Sequence, residues 1–235
     1  MKKIILILIL ITSSINVFAA SGFEAILNVP LGLSVGIPTG IQQDANIKGT
    51  AGFDSGITAQ LGYMIGIGKI GVSILGELGY SYDSYRYYYT VNAGNILNSK
   101  YTSGLHTHSF QIGLLPKVNI GAFAVGVGFG VKIPVSGYKT SKMEGSIAGV
   151  EGSTSTEKLS LNRDNFENYD RNVIPYIKAT FDYSFFFTSK IALNLGAYLG
   201  YDFGIAYKNP SNGEYTGIDS FDIGLQLGLR FAPKL

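Results

Sequence analysis

The sequence has no cysteine, no tryptophan, only two histidines, and 14% charged residues among 235. Without cysteine there is no disulfide-stapled fold, no cysteine-borne lipid anchor and no thiolate metal site. Scarce charge excludes disordered and collagen-like chains and basic or acidic tails. The formal charge of +2 comes from Lys2 and Lys3, and the remaining chain carries sixteen basic and sixteen acidic side chains. No nucleic acid is implied as a partner. Beyond the N-terminus, no apolar run approaches the about 20 residues that a membrane-crossing helix needs.

What the chain does have is glycine, 31 residues, with 16 tyrosines and 14 phenylalanines. Its length suits one large all-β domain. The N-terminus reads as a secretory signal: Met1-Lys2-Lys3 is a positive start, residues 4–11 are an apolar run, and Val17-Phe18-Ala19 offers small residues to a signal peptidase. The expected organisation is a signal peptide over 1–19 and a single domain over 20–235. A membrane anchor is the weaker reading, because eight apolar residues are too few to span a bilayer.

Apolar residues then recur with period two, the strand signature, in eight stretches: 23–37, 56–67, 70–82, 109–120, 123–133, 177–185, 191–203 and 221–231. Alternation alone does not say which face is buried, since a soluble ligand-binding barrel alternates too. The composition of the second face decides. It is mostly Gly, Ser, Thr, Asn and Gln with about one charge per strand, which suits a narrow packed interior and not a water-facing surface. The apolar face then meets lipid over about ten residues per strand, as a tilted transmembrane strand requires.

The connections agree with this. Gly68-Lys69, Gly121-Ala122 and Thr188-Ser189-Lys190 are tight turns, whereas 38–55, 83–104, 136–172 and 208–219 are long and polar. Short turns alternating with long loops over an even strand count predict an all-β, transmembrane, up-and-down antiparallel barrel. The expected placement is the cell outer membrane, with long loops extracellular and both termini periplasmic. An open sheet edge cannot lie in hydrocarbon, so the first strand must pair with the last. Four prolines fall in or beside strands. Pro134, Pro175 and Pro116 lie near strand ends, and Pro30, in mid-strand, predicts a local bulge.

On this pattern and topology the chain resembles the small eight-stranded outer-membrane barrels of the OmpA, OmpX and OmpW type. Its last strand, with Asp222, Gly224, Leu227, Leu229 and Phe231, resembles the C-terminal signal of that family, which implies the barrel-assembly machinery as a partner during biogenesis. Ala232-Pro233-Lys234-Leu235 follows the aromatic on which such chains commonly end. The resemblance also implies outer-membrane lipid as the surrounding partner.

Parity places Glu24, Glu77, Asp182, Asp202 and Asp222 on the inner face with Lys117, Lys132, Lys178 and Arg230. Eight strands leave room only for side chains, so these charges are expected to form an ion-pair network with Gln60, Gln111, Asn194 and Gln226 that plugs the lumen. Three further constellations hold residue types that could carry chemistry. His106 and His108 share a face about 7 Å apart in an extended strand, a workable metal pair. They lack an obvious third ligand, and amphipathic rings at a membrane interface are the stronger reading. An acyl-transfer site of the lipid-A deacylase kind needs His and Ser on one face, but Thr107 and Ser109 point opposite to the two histidines. Tyr80 and Tyr82 continue the lipid-facing parity, whereas Tyr85, Tyr87 and Tyr89 with Arg86 make a candidate contact surface above the membrane, loop packing being the alternative. The mixed charges of 136–172 read as a solvated loop. The expected role is non-enzymatic, without cofactor or metal: a structural or surface-interaction protein whose loops meet an extracellular ligand or host surface. A narrow passage for small or hydrophobic solutes is the alternative.

Overall fold

A computed structural model describes residues 21–40, 47–93, 97–147, 150–151, 155–208, 213 and 215–234. The signal segment 1–19 lies outside the described residues. The chain forms β1 (Gly22–Thr39), β2 (Ile47–Ile67), β3 (Ile70–Ala93), β4 (Leu97–Ile120), β5 (Phe123–Ile147), β6 (Val150–Glu151), β7 (Ser155–Asn162), α1 (Arg163–Glu167), β8 (Ile174–Phe186), β9 (Ile191–Asp202), β10 (Ala206–Lys208) and β11 (Tyr215–Phe231). Eight of these strands make a ring in the order β1-β2-β3-β4-β5-β8-β9-β11, closed by β1 against β11. All pairings are antiparallel, and the seam runs from Ala25↔Phe231 to Thr39↔Gly217.

The ring sorts side chains by parity. Leu27, Val29, Leu31 and Leu33 of β1, Ile112 and Leu114 of β4, and Ile223, Leu225 and Leu227 of β11 stand exposed on the outer face. Between them Asn28, Ser34, Thr107, Asn119, Thr180 and Gln226 are buried inside. An apolar exterior around a polar interior is the reverse of a water-soluble barrel and matches a lipid surround.

The two-residue turns Gly68-Lys69 and Gly121-Ala122 each begin with a glycine at positive φ, 63° and 59°, where a Cβ would be strained. These turns lie at the end where the described termini are held. The Gly66 amide donates to Ser21 Oγ at 3.0 Å, Gly121 N to Lys69 O at 3.3 Å, and Ala232 N to Lys190 O at 2.9 Å.

At the opposite end the wall is uneven. β3 and β4 have 24 residues and β5 has 25, whereas β8 has 13 and β9 has 12. The segment 83–104, expected as a loop, continues the β3–β4 ladder up to Ala93↔Leu97. Likewise 136–172 is largely strand and helix, with β7 paired to β5 from Ser136↔Asn162 to Met143↔Ser155. Above the bilayer both faces of such a sheet meet water, so the ladder persists while the apolar alternation that marks it disappears. At the membrane-proximal end of β7, α1 is capped by Asn162, whose side chain accepts from the Asn165 amide, and it buries Phe166 against Leu161 and Ile205.

Pro30 does not produce the expected bulge. Asn28↔Thr58 and Leu31↔Ser55 keep one register, and the β1–β2 pairing merely lapses at positions 29 and 30, where the proline ring lies beside Gly56. The register shifts sit instead between Thr50 and Ser55 of β2 and between His108 and Ser109 of β4, the second opposite Pro134.

A ring with every central strand paired on both sides resists detergent unfolding. Unheated protein should therefore migrate at a different apparent mass from boiled protein, with a strand-dominated circular dichroism spectrum. Identical migration together with a helical spectrum would contradict the closed sheet.

Candidate functional site

Stacked layers of charge fill the lumen. Nearest the turns, Arg230 pairs with Glu24 at 2.8 Å and donates to Ser184 Oγ at 3.0 Å and Asn119 Oδ1 at 2.9 Å. Ser73 donates to the same Glu24. In the next layer Lys117 meets Asp182 at 2.6 Å, and Gln226 and Asn194 donate to that carboxylate at 2.5 and 3.3 Å. Beside them Ile26, Leu75 and Leu115 form a small apolar cluster inside the ring.

Higher up, Glu77 accepts from Lys178 at 2.5 Å, Gln60 at 2.9 Å and Tyr176 at 3.0 Å, and also from Gln111. In the outermost layer Lys132 bridges Asp83 at 2.6 Å and Asp202 at 2.7 Å. Tyr85 donates to Asp202 at 2.9 Å and Tyr198 to Asp54 at 2.7 Å. The cavity remaining in this region has a volume of only about 50 Å³ and is lined by Asp54, Lys132, Tyr198 and Asp222 among others. That space holds a few waters at most, since one water needs about 10–15 Å³ by this measure.

Eight of the nine interior charges named from sequence are thus brought into direct pairs. Asp222 is not: it is buried with Oδ1 unpartnered, and no described base lies within ion-pair distance. The near-balance of five acids to four bases also fails. Asp54 and Asp83 are inside as well, which makes seven carboxylates against four cations. Both continue the inward parity of their strands, Asp54 with Gly56 and Thr58, and Asp83 with Glu77 and Ser81. Both lie just beyond the stretch in which apolar alternation marks the strand.

Tyr176 and Tyr198 were hidden by the opposite bias, since aromatics in such a chain read as lipid-facing. Their inward reach depends on missing side chains. A Cβ at Gly113 or Gly130 would meet the Tyr176 hydroxyl, and one at Gly32 or Gly224 would meet Tyr198.

The candidate contact surface is corrected in the same way. Tyr85 is fully buried, because β3 runs on and carries the inward parity with it. Tyr87 packs beside the cluster of Tyr85, Ile174 and Ile218, and Tyr89 stacks on Tyr101 with centroids 5.0 Å apart. Arg86 Nη1 donates to Ala51 O at 2.9 Å.

On the outer face above the apolar band, the histidine nitrogens are engaged by hydroxyls. His108 Nδ1 is 2.6 Å from the Tyr80 hydroxyl, His106 Nδ1 is 2.9 Å from Ser84 Oγ, and His106 Nε2 is 3.3 Å from Thr140 Oγ1. Among the described residues no cluster of three or more His, Asp or Glu side chains is arranged to hold a metal. Ser84 beside His106 escaped sequence reasoning because the two sit on neighbouring strands. Ser84 is buried, and among the described residues no carboxylate partners the imidazole.

A closed ring of eight antiparallel strands, apolar outside and filled with paired charge inside, defines a transmembrane β-barrel, and this chain is an integral outer-membrane protein of that class. No protein family and no curated protein matches the sequence. Among solved structures the chain is similar to the attachment invasion locus protein Ail of Yersinia pestis, at 10% identity over 89% of this chain and 99% of that one, TM-score 0.32. It is similar to Neisserial surface protein A at 11% identity, covering 91% and 99%, TM-score 0.30. It is also similar to the outer membrane protease OmpT of Escherichia coli at 10% identity, covering 92% and 98%, TM-score 0.38. These likenesses are loose, and the class rests on the closed sheet and its apolar band.

Removing one partner of a buried ion pair leaves the other charge without compensation. Arg230→Gln should therefore lower unfolding stability by about 3–5 kcal/mol, and Lys132→Gln, which orphans two carboxylates, by at least as much. Asp222→Asn removes an unpaired like charge and should be neutral or stabilising. Denaturant titration of refolded protein, followed by gel migration, measures all three. Wild-type stability in the first two variants would mean that the network is wet and weak.

Proposed function

We propose that the barrel is a sealed, non-enzymatic scaffold whose tall end is presented outside the cell for interaction, with both termini in the periplasm. The observation that carries this reading is the filled lumen. A solute passage needs a continuous wet path, whereas here four layers of ion pairs and tyrosine hydroxyls occupy the interior and leave about 50 Å³ in its upper part. The extended sheet of β3, β4, β5 and β7 offers polar surface in keeping with an exposed role, including Lys142 and Lys158. The non-enzymatic reading draws support from the burial of Ser84 beside His106, whose partners among the described residues are hydroxyls. Lipid around the apolar band and the assembly machinery at β11 complete the expected partners.

Two measurements test this. An impermeant amine-reactive label applied to intact cells should modify Lys142 and Lys158 and spare Lys69 and Lys190 at the turns. Labelling confined to the turn lysines would reverse the orientation. In a planar bilayer the refolded protein should give no steady conductance, and large stable currents would replace the scaffold reading with the channel one.

A further inference from the structure

Above the Lys132 layer, the mouth of the barrel contains a second cavity of about 160 Å³, separate from the interior one. Its floor is Tyr85, the buried residue whose hydroxyl is tied to Asp202. Tyr87 stands above it, and Tyr169 and Tyr207 form a stacked pair on the wall with centroids 4.4 Å apart. Burial holds the Tyr169 phenol above its ordinary range, so it remains a neutral hydrogen-bond donor.

Two polar groups in this lining lack partners. Lys139 places its ammonium 5.4 Å from the Tyr169 ring centroid, and among the described residues no carboxylate pairs with it. Thr216 Oγ1 is buried and has no hydrogen-bond partner among the described residues. Lys139 is solvent-exposed and Thr216 half-buried, so together they offer this aromatic-walled space one cation free of a carboxylate pair and one hydroxyl donor, the two contacts that a carboxylate uses.

We infer that this cavity binds a single-ring carboxylate, the ring lying against the tyrosine faces and the carboxylate pairing with Lys139 and accepting from Thr216. The volume limits the occupant. Drug-sized ligands occupy pockets of about 300–1,000 Å³, so this one takes one ring and not a chain of them. A lone cation in the lining selects one negative charge, and the tyrosine walls select a flat or chair-like face. The same chemistry is met in a terminal uronic acid of a surface polysaccharide and in a free aromatic acid. The inference rests on the reading that the tall end of the barrel is the presented end.

The experiment uses the full mature chain refolded in detergent micelles and titrated by ligand-observed NMR with methyl glucuronide, benzoate, and their neutral counterparts methyl glucoside and benzyl alcohol. At least one acid should bind, its neutral counterpart at least about tenfold more weakly. Which acid binds identifies the source. Lys139→Gln should weaken binding by about tenfold or more, Lys139→Arg should stay within about threefold, and Lys142→Gln, at an exposed lysine paired with Glu144, should leave it unchanged. Unaltered heat-dependent gel migration confirms that each variant is folded. Absence of binding by both acids, or equal affinity in wild type and Lys139→Gln, overturns the inference. Orientation is read separately by the label on intact cells, so failure of the site and failure of the scaffold reading are told apart.

Discussion

Closure of the hydrogen-bond ladder between β1 and β11 is the constraint on which the rest of this molecule depends. In hydrocarbon no water can satisfy a free backbone N–H or C=O, so the sheet has to end on itself. Closing it with eight strands makes the ring narrow, and a narrow ring dictates its contents. Small residues line much of the inner face, and the long inward side chains must interlock. The same closure explains how Pro30 is tolerated. With β11 paired continuously along one side, a two-residue lapse on the β2 side does not shift the register.

The inner charge distribution shows a second way of meeting that constraint. Seven carboxylates face four cations, and of these only Asp222 has neither a cation nor a tyrosine hydroxyl. Tyr85, Tyr176 and Tyr198 each turn a hydroxyl inward and donate to Asp202, Glu77 and Asp54. A neutral donor satisfies a carboxylate without adding another ion to be desolvated, and a rigid ring fixes its hydroxyl with little loss of freedom. Four glycines beneath Tyr176 and Tyr198 are the structural counterpart of this arrangement.

The ring was legible because lipid imposes a strict pattern. Wherever one face meets hydrocarbon and the other a polar core, period two is enforced residue by residue, and the strand positions, the tight turns and the inward charges followed from it. Legibility stopped where lipid stops. The ladder past Tyr82 in β3 has water on its outer face, so Tyr85 read as surface although it forms the top of the core. Asp83, one step beyond the apparent strand end, was missed for the same reason. Pairings across strands were not legible either. That Lys132 meets Asp83 and Asp202, or that Ser84 faces His106, depends on stagger between strands, which alternation within one strand does not encode.

The unequal wall has a directional consequence. Strands of 24 and 25 residues on the β3–β5 side rise like a backrest, while the β8–β9 hairpin of 13 and 12 residues stops near the rim. The low side is covered instead by short pieces: α1 packs Phe166 on Ile205, and Arg171 bridges to Ala206 of β10. One side of the mouth is thus held by a continuous ladder and the other by a few local contacts, so the rim above β8 and β9 is the part that can shift without breaking the ring.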